Sequence, residues 1–150
     1  MEIHSLHLRL IDKDLIPLIE RFAVQEEEME NLTAHFTTTG LVVNGEYRTP
    51  FGFRVAFKTL WVIVASGSEI RLRLETLDIS GIPASILRGV LIKMIRDSVP
   101  DVPGVSVRES EVVIQVEDAA KAEGVSLSVD FTAVQMAEGS CGIVAGKRGD

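Results

Sequence analysis

Residues 53–66 read FRVAFKTLWVIVAS, and large apolar side chains recur at alternate positions of this run, with Thr59 between Phe57 and Trp61. Phe57 and Trp61 lie on the same face as the flanking Phe53 and Ile63, a period of two that is typical of a half-buried β-strand. The opposite face also becomes apolar towards Val64. We therefore predict a long strand that is covered on both sides near its end, or whose edge meets a partner there.

The segments around this strand alternate in the same way and are separated by short turns. Residues 70–74 read IRLRL after the turn Ser66-Gly67-Ser68, and residues 49–52 form a turn on the other side. Further upstream, residues 32–37 and 41–47 have strand character, with Thr39-Gly40 between them. Because the turns are too short for crossover helices, successive strands are predicted to form an antiparallel meander.

Two segments have helical spacing instead. The first follows Asp12-Lys13-Asp14 and is predicted to end near Val24, because the acidic run Glu26–Glu28 disfavours a helix C-terminus. The second begins at Pro83, which suits a first helical turn, and ends before Pro100. The second carries the wider apolar stripe, formed by Ile86, Leu87, Val90, Leu91 and Met94.

The rest of the chain is predicted to be mainly strands. These cover residues 4–10, 105–107, 112–116, 125–133 and 141–145, with one helical turn or a loop at 118–123. The fold class is therefore α+β in one domain, residues 1–150, with residues 146–150 as a frayed tail. We expect a long, curved antiparallel sheet packed on an amphipathic helix, with a second, shorter N-terminal helix.

Composition narrows the functional classes. The apolar fraction of 46% argues against disorder, and the net charge of −7 disfavours nucleic acid and anionic membranes as partners. Cys141, the only cysteine, is expected to be a half-buried structural thiol without a disulfide partner. The first residues lack the pattern of a signal peptide, and no apolar run approaches the length needed to span a membrane, so we expect neither feature. A cytoplasmic location is expected, with membrane-peripheral attachment left open.

Motifs for catalysis, metals or cofactors are not evident. His4, His7 and His35 do not form a zinc-binding spacing with the lone cysteine, and the sequence contains neither a nucleophile elbow nor a phosphate-binding loop. We therefore expect a protein that is not an enzyme and needs no metal or cofactor. Asp78 and Asp130 lie among apolar strand residues, and a buried carboxylate cluster around either would indicate an enzyme instead.

Five short segments carry a family resemblance. They are TTGLVVNG at 38–45, FRVAF at 53–57, IRLRL at 70–74, SGIP at 80–83 and PGV at 103–105. In order and spacing, residues 32–116 resemble the LmeA-like phospholipid-binding family, whose members look like half of a tubular lipid-binding (BPI-like) fold. In that family a bent sheet wraps a helix and leaves a groove for acyl chains. Members are exported or membrane-anchored, whereas this chain shows neither signal.

The resemblance implies non-catalytic binding of a lipid or another apolar small molecule, and transient membrane contact is left open. The residues that it places along the groove are Phe57, Trp61, Ile63, Leu72, Leu74, Leu87, Val90, Leu91, Met94 and Phe131. From the pattern alone, a solid core is the commoner explanation of such stripes. The alternative is thus a protein-interaction or homo-oligomerisation domain with a filled core and no ligand. The two hypotheses are compatible, because a homodimer could extend the groove.

Overall fold

The structure is a computed structural model, and it describes residues 2–3, 6–17, 19–20, 28–49, 51–79, 88–89, 91–93, 95–96, 103–108 and 111–147. Most of these residues are in strands. In chain order the strands are β1 (Glu2–Ile3), β2 (Leu6–Ile11), β3 (Met29–Phe36), β4 (Leu41–Arg48), β5 (Arg54–Ser66), β6 (Glu69–Ile79), β7 (Val105–Arg108), β8 (Glu111–Gln115), β9 (Ser126–Leu127), β10 (Val129–Ala137) and β11 (Ser140–Lys147).

The largest sheet has six strands in the order β3-β4-β5-β6-β8-β7, and each neighbouring pair is antiparallel. Its first four strands are consecutive in the chain, which confirms the predicted meander. A smaller antiparallel sheet has the order β10-β11-β2, and β1 pairs with β9 in parallel.

The long strand β5 has one buried face, as predicted, but the coverage on both sides predicted near its end is not seen, because Val64 is 44% exposed. Val55, Phe57 and Trp61 are buried, whereas Ala56 and Lys58 on the opposite face are exposed. We call the side that carries Phe57 and Trp61 the inner face. The register changes by one residue between Leu60 and Trp61, where β5 meets β6.

Two buried clusters lie along this inner face. The first cluster contains Met29, Phe57, Trp61, Leu74, Leu77, Leu91 and Ile92. The second cluster contains Phe36, Phe131, Cys141, Ile143 and Ala145, with Ile63 and Ala65 packed against it. Strand β5 contributes to both clusters, with residues up to Trp61 in the first and residues from Ile63 onward beside the second.

Hydrogen bonds connect the smaller sheet to the larger one at two points. The backbone N–H of Phe131 donates to the Gly67 carbonyl at 2.8 Å, so β10 meets the turn between β5 and β6. At the second point, the Asp12 carboxylate accepts from the Phe36 N–H at 2.7 Å, and the Gly139 N–H donates to the Phe36 carbonyl at 2.9 Å. The smaller sheet therefore packs on one end of the inner face.

The described residues include three helical segments, of which the third is Val116–Ala122. A 3-10 helix spans Asp12–Leu15 and continues as helix at 16–17 and 19–20, where the N-terminal helix was predicted. Residues 88–89, 91–93 and 95–96 are helical, and we call them the apolar helix. Most of the predicted span 83–99, and the predicted end near Val24, lie outside the described residues. Among the described helices, none combines the length and apolar character needed to cross a bilayer.

Three C-terminal predictions need refinement. Residues 118–123, expected to be a helical turn or a loop, belong to an α-helix over Val116–Ala122. The single strand predicted at 125–133 is divided into β9 and β10, because β9 pairs with β1 whereas β10 pairs with β11. Cys141 is 0% exposed rather than half-buried, and burial raises the pKa of its thiol.

Candidate functional site: an apolar cavity on the inner face

An apolar cavity of about 240 Å³ lies on the inner face, beside the first cluster. The described residues that line it are Leu15, Ile19, Met29, Leu32, Ala34, Leu41, Val43, Phe57, Thr59, Trp61, Leu72, Leu91, Ile95 and Val112. Close-packed protein interiors contain few voids larger than a water molecule, whose share of liquid volume is about 30 Å³. This space is therefore much larger than an ordinary packing defect.

The sheet side of the wall follows from cross-strand register. Val43 of β4 lies opposite Thr59 of β5 and opposite Ala34 of β3, and Leu41 lies opposite Trp61. Residues directly opposite one another point to the same face of a sheet. Inward-pointing residues of three adjacent strands thus form continuous rows across the cavity floor.

Because residue 45 is a glycine, the side chains of Leu32 and Phe57 can both lie over one end of the cavity floor. A Cβ at Gly45 would lie 2.6 Å from Leu32 Cδ2 and 2.9 Å from Phe57 Cζ, closer than real Cβ contacts. An irregularity in the β3–β4 pairing between Glu30 and Thr33 precedes this contact. Asn31, within the irregularity, has a φ of 52° and donates a side-chain hydrogen bond to Glu46 at 3.1 Å. The two side chains therefore meet directly above Gly45.

The polar atoms of the wall are satisfied within it. The Thr59 hydroxyl donates to the Val43 carbonyl at 2.8 Å and accepts from the Trp61 indole Nε1 at 2.9 Å. Thr59 is the only polar residue in the described lining, and none of that lining is ionisable. An occupant of this part of the cavity would accordingly meet hydrocarbon and aromatic surface, which suits an alkyl chain or an apolar ring.

Residues of two helical segments also line the cavity. Leu15 and Ile19 are four residues apart, as are Leu91 and Ile95, so each pair lies on one face of its helix. Leu72 of β6 and the paired Val112 of β8 also line the cavity.

The predicted groove residues are distributed over three locations. Phe57, Trp61, Leu72 and Leu91 line the cavity, and Leu74 is buried in the first cluster. Ile63 and Phe131 belong to the second cluster and its immediate packing. Leu87, Val90 and Met94 lie outside the residues whose side chains the structure describes.

Several lining residues were not among the predicted ones. Leu32 and Ala34 lie on the alternating face that the sequence indicates for β3, but alternation alone does not say which strand lies beside them. Leu15 and Ile19 follow a helical spacing, yet nothing in the sequence places that helix against β5. Contacts between distant segments, rather than a local motif, bring these residues together.

The residues considered for catalysis lie elsewhere. Asp78 and Asp130 are both exposed on their strands, and His7 is also exposed. Within the described ranges, no group of three or more histidine, cysteine or acidic side chains is arranged to hold a metal ion.

A second depression, of about 280 Å³, lies on the opposite face and is lined by Val64, Ser66, Glu69 and Arg71. A hydrogen bond from the Gln115 amide, followed by one from Arg71, lowers the pKa of Glu69. Arg71 also lies 3.9 Å from Glu111. Because its charges already pair with one another, this depression provides no comparable site for an apolar ligand.

In comparisons with family models, curated proteins and solved structures, nothing matches this chain.

Proposed function

We propose that this protein binds a lipid or another apolar small molecule non-covalently in the cavity, without catalysis and without a cofactor. The observation that carries the proposal is the cavity itself, about 240 Å³ in volume, whose described lining residues are all apolar except Thr59. An engineered apolar cavity of about 150 Å³ stays dry and binds benzene. This larger space accommodates a ring or a segment of an alkyl chain.

The proposal includes the finer architecture. A long antiparallel sheet would pack on the amphipathic apolar helix and hold the ligand between them. Leu91 and Ile92 of that helix share the first cluster with Phe57 and Trp61, which supports this arrangement. Such a plan agrees with the proposed relationship to the LmeA-like family and to half of a tubular lipid-binding fold. We propose a cytoplasmic or membrane-peripheral location.

Trp61 provides a direct test, because it is the only tryptophan in the chain and it lines the cavity. Freshly purified protein is extracted with organic solvent and the extract is analysed by mass spectrometry. Delipidated protein is then titrated with octanol while Trp61 emission is recorded. We expect a co-purifying apolar molecule and a saturable change in emission. An empty extract together with unchanged emission would refute the proposal.

A second candidate function is homo-oligomerisation through β2. This strand lies at the edge of the smaller sheet among the described strands, and Leu8 and Ile11 on it are 40% and 41% exposed. Edge strands with apolar side chains are templates for pairing with another chain. Light scattering over a range of protein concentrations tests this candidate. A strict monomer at the highest concentration would exclude it.

A further inference from the structure

The hairpin that joins β4 and β5 ends in two exposed aromatic rings. Phe51 is 87% exposed and Phe53 is 55% exposed. Their ring centroids lie 6.5 Å apart and their planes differ by only 14°, so the rings stack on each other. We call this pair the Phe wedge. Large apolar side chains that stay exposed side by side at the end of a hairpin indicate a surface that becomes buried when the protein binds something.

Hydrogen bonds hold the turn that presents the wedge. The backbone N–H and the hydroxyl of Thr49 both donate to the Phe53 carbonyl, at 2.9 and 3.0 Å, and the Gly52 N–H donates to the Thr49 carbonyl at 3.0 Å. Gly52 has a φ of 91°, a conformation that side-chain-bearing residues rarely adopt. Thr49 is itself buried. The exposure of the two rings is therefore built into a closed turn.

The arginines behind the wedge lie among acidic residues. Arg48 and Arg54 are paired across the hairpin, and both contact the Glu30 carboxylate. Glu28 is also close, because its carbonyl accepts from the Arg48 N–H at 2.8 Å. Glu46 lies opposite Glu30 on the neighbouring strand, so the described residues at the base of the wedge carry no excess of positive charge, while the whole chain carries −7. This distribution gives no attraction to an anionic surface.

The wedge also continues the inner face that forms the cavity. Phe53 immediately precedes β5, and the hydrogen bond from the Thr49 N–H to its carbonyl continues the β4–β5 pairing, so Phe53, Val55 and Phe57 alternate towards the same side. Phe57 lines the cavity, and it is separated from Phe53 by four residues, or about 13 Å at the usual rise of a strand. One apolar row thus connects the tip with the cavity wall.

We propose that the Phe wedge inserts into the surface of a neutral, zwitterionic lipid bilayer. Stable protein partners usually bury about 800 Å² on each side, whereas two phenylalanine side chains supply only about 300–500 Å². A bilayer has no such area requirement, because even a small convex wedge is surrounded by acyl chains and headgroups. Such binding is weak and reversible. The further consequence, that docking lets the cavity exchange ligand with the bilayer, rests on the proposed function.

The test is flotation of the full chain with phosphatidylcholine vesicles. We expect the unmodified protein to float with the vesicles and the double variant F51S/F53S to partition at least about tenfold less. The matched control is Val64→Ser, which removes another exposed apolar side chain (44% exposed) far from the tip and should change partitioning less than about twofold. Circular dichroism confirms that each variant is folded. Because a phosphatidylcholine surface carries no net charge, raising the salt concentration should leave binding almost unchanged.

Three results would overturn the proposal. One is that the unmodified protein stays unbound at high lipid concentration. Another is that Val64→Ser weakens binding as much as F51S/F53S does. The third is that the protein self-associates without lipid and F51S/F53S abolishes this, which would identify a second copy as the occupant of the wedge.

A parallel titration separates this proposal from the cavity proposal. F51S/F53S should respond to octanol through Trp61 emission as the unmodified protein does, because neither substituted residue lines the cavity. Loss of vesicle binding with an intact octanol response supports both proposals. If no protein responds to octanol but the wedge variant still loses vesicle binding, docking stands and the cavity proposal fails.

Discussion

The Trp61 indole Nε1 donates a hydrogen bond to the Thr59 hydroxyl at 2.9 Å, and both side chains line the same apolar cavity. The residues are two positions apart and therefore point to the same face of β5. The hydroxyl in turn donates to the Val43 carbonyl of the neighbouring strand. Through this chain of bonds a large aromatic ring forms part of a cavity wall while its one polar atom remains satisfied.

Replacing Thr59 by valine tests that relationship. Thr59→Val keeps the branched shape but leaves the buried Trp61 N–H without its acceptor. We expect the free energy of unfolding to fall by about 1–3 kcal/mol, measured by urea denaturation. Thr59→Ser keeps the hydroxyl and is the control, with a smaller loss expected. Equal stability of the valine variant and the unmodified protein would contradict the assigned hydrogen bond.

Filling the cavity should separate ligand binding from folding. Ala34 lines the cavity, so the larger side chain of Ala34→Leu extends into the space a ligand would occupy. We expect the octanol response of Trp61 to disappear, with a change in unfolding free energy within about 1–2 kcal/mol because the added methyl groups occupy existing space. Titration and urea denaturation measure the two effects.

Ala56→Leu is the control for this substitution, because Ala56 is exposed on the opposite face of β5. It adds the same groups without entering the cavity, so the octanol response should persist. A persistent response in Ala34→Leu as well would place the binding site elsewhere.

Gly45 and Gly89 should respond in opposite directions to alanine. At Gly45 the new Cβ would lie 2.6 Å from Leu32 Cδ2 and 2.9 Å from Phe57 Cζ, so both side chains must move. We expect Gly45→Ala to lower the unfolding free energy by about 1–3 kcal/mol. Thermal or urea denaturation measures this loss.

Gly89 provides the contrast, since it is helical and exposed and an added Cβ meets nothing within 4 Å. Gly89→Ala should stabilise the protein by about 0.5–1 kcal/mol, because alanine loses less conformational entropy in a helix. An equal change in stability for both variants would show that the close contacts at Gly45 do not cause the loss in Gly45→Ala.

The alternation of residues 32–79 is sufficient to predict the meander, because each strand there is joined to its neighbour by a short turn. Pairings between distant segments were not predictable in the same way. The period of two assigns Ile63 and Phe131 to an inward face, but it does not say which residues face them. In the structure they pack in the second cluster rather than around the cavity. Tertiary contacts, absent from any local pattern, make that distinction.

Asp12 is expected to hold the two sheets together. Its carboxylate accepts from the Phe36 N–H at 2.7 Å, while its own N–H donates to the Gly139 carbonyl at 3.3 Å. Asp12→Ala should lower the unfolding free energy by about 1–3 kcal/mol, because a part-buried backbone donor loses its acceptor. Hydrogen exchange should also accelerate at Phe36.

Asp12→Asn keeps a side-chain oxygen that can accept the same bond, so it should restore part of the lost stability and slow the exchange at Phe36 again. Equal losses in the alanine and asparagine variants would show that the negative charge, and not the hydrogen bond, is what matters.

Glu69 should make stability depend on pH in the acid range. Hydrogen bonds from Gln115 and Arg71 lower its pKa in the folded protein below the ordinary value near 4.5. A lowered pKa stabilises the folded state above the unfolded-state pKa, and that contribution is lost as the pH falls through the folded value. Glu69→Gln should therefore have a lower melting temperature than the unmodified protein at pH 7, and the difference should shrink as the pH falls below about 4.5. The effect should be small and salt-sensitive, because the carboxylate faces solvent.

Glu75→Gln, which removes an exposed carboxylate 3.4 Å from Arg73, controls for the change in net charge. A difference for Glu69→Gln that stayed constant from pH 7 to pH 3 would contradict the lowered pKa.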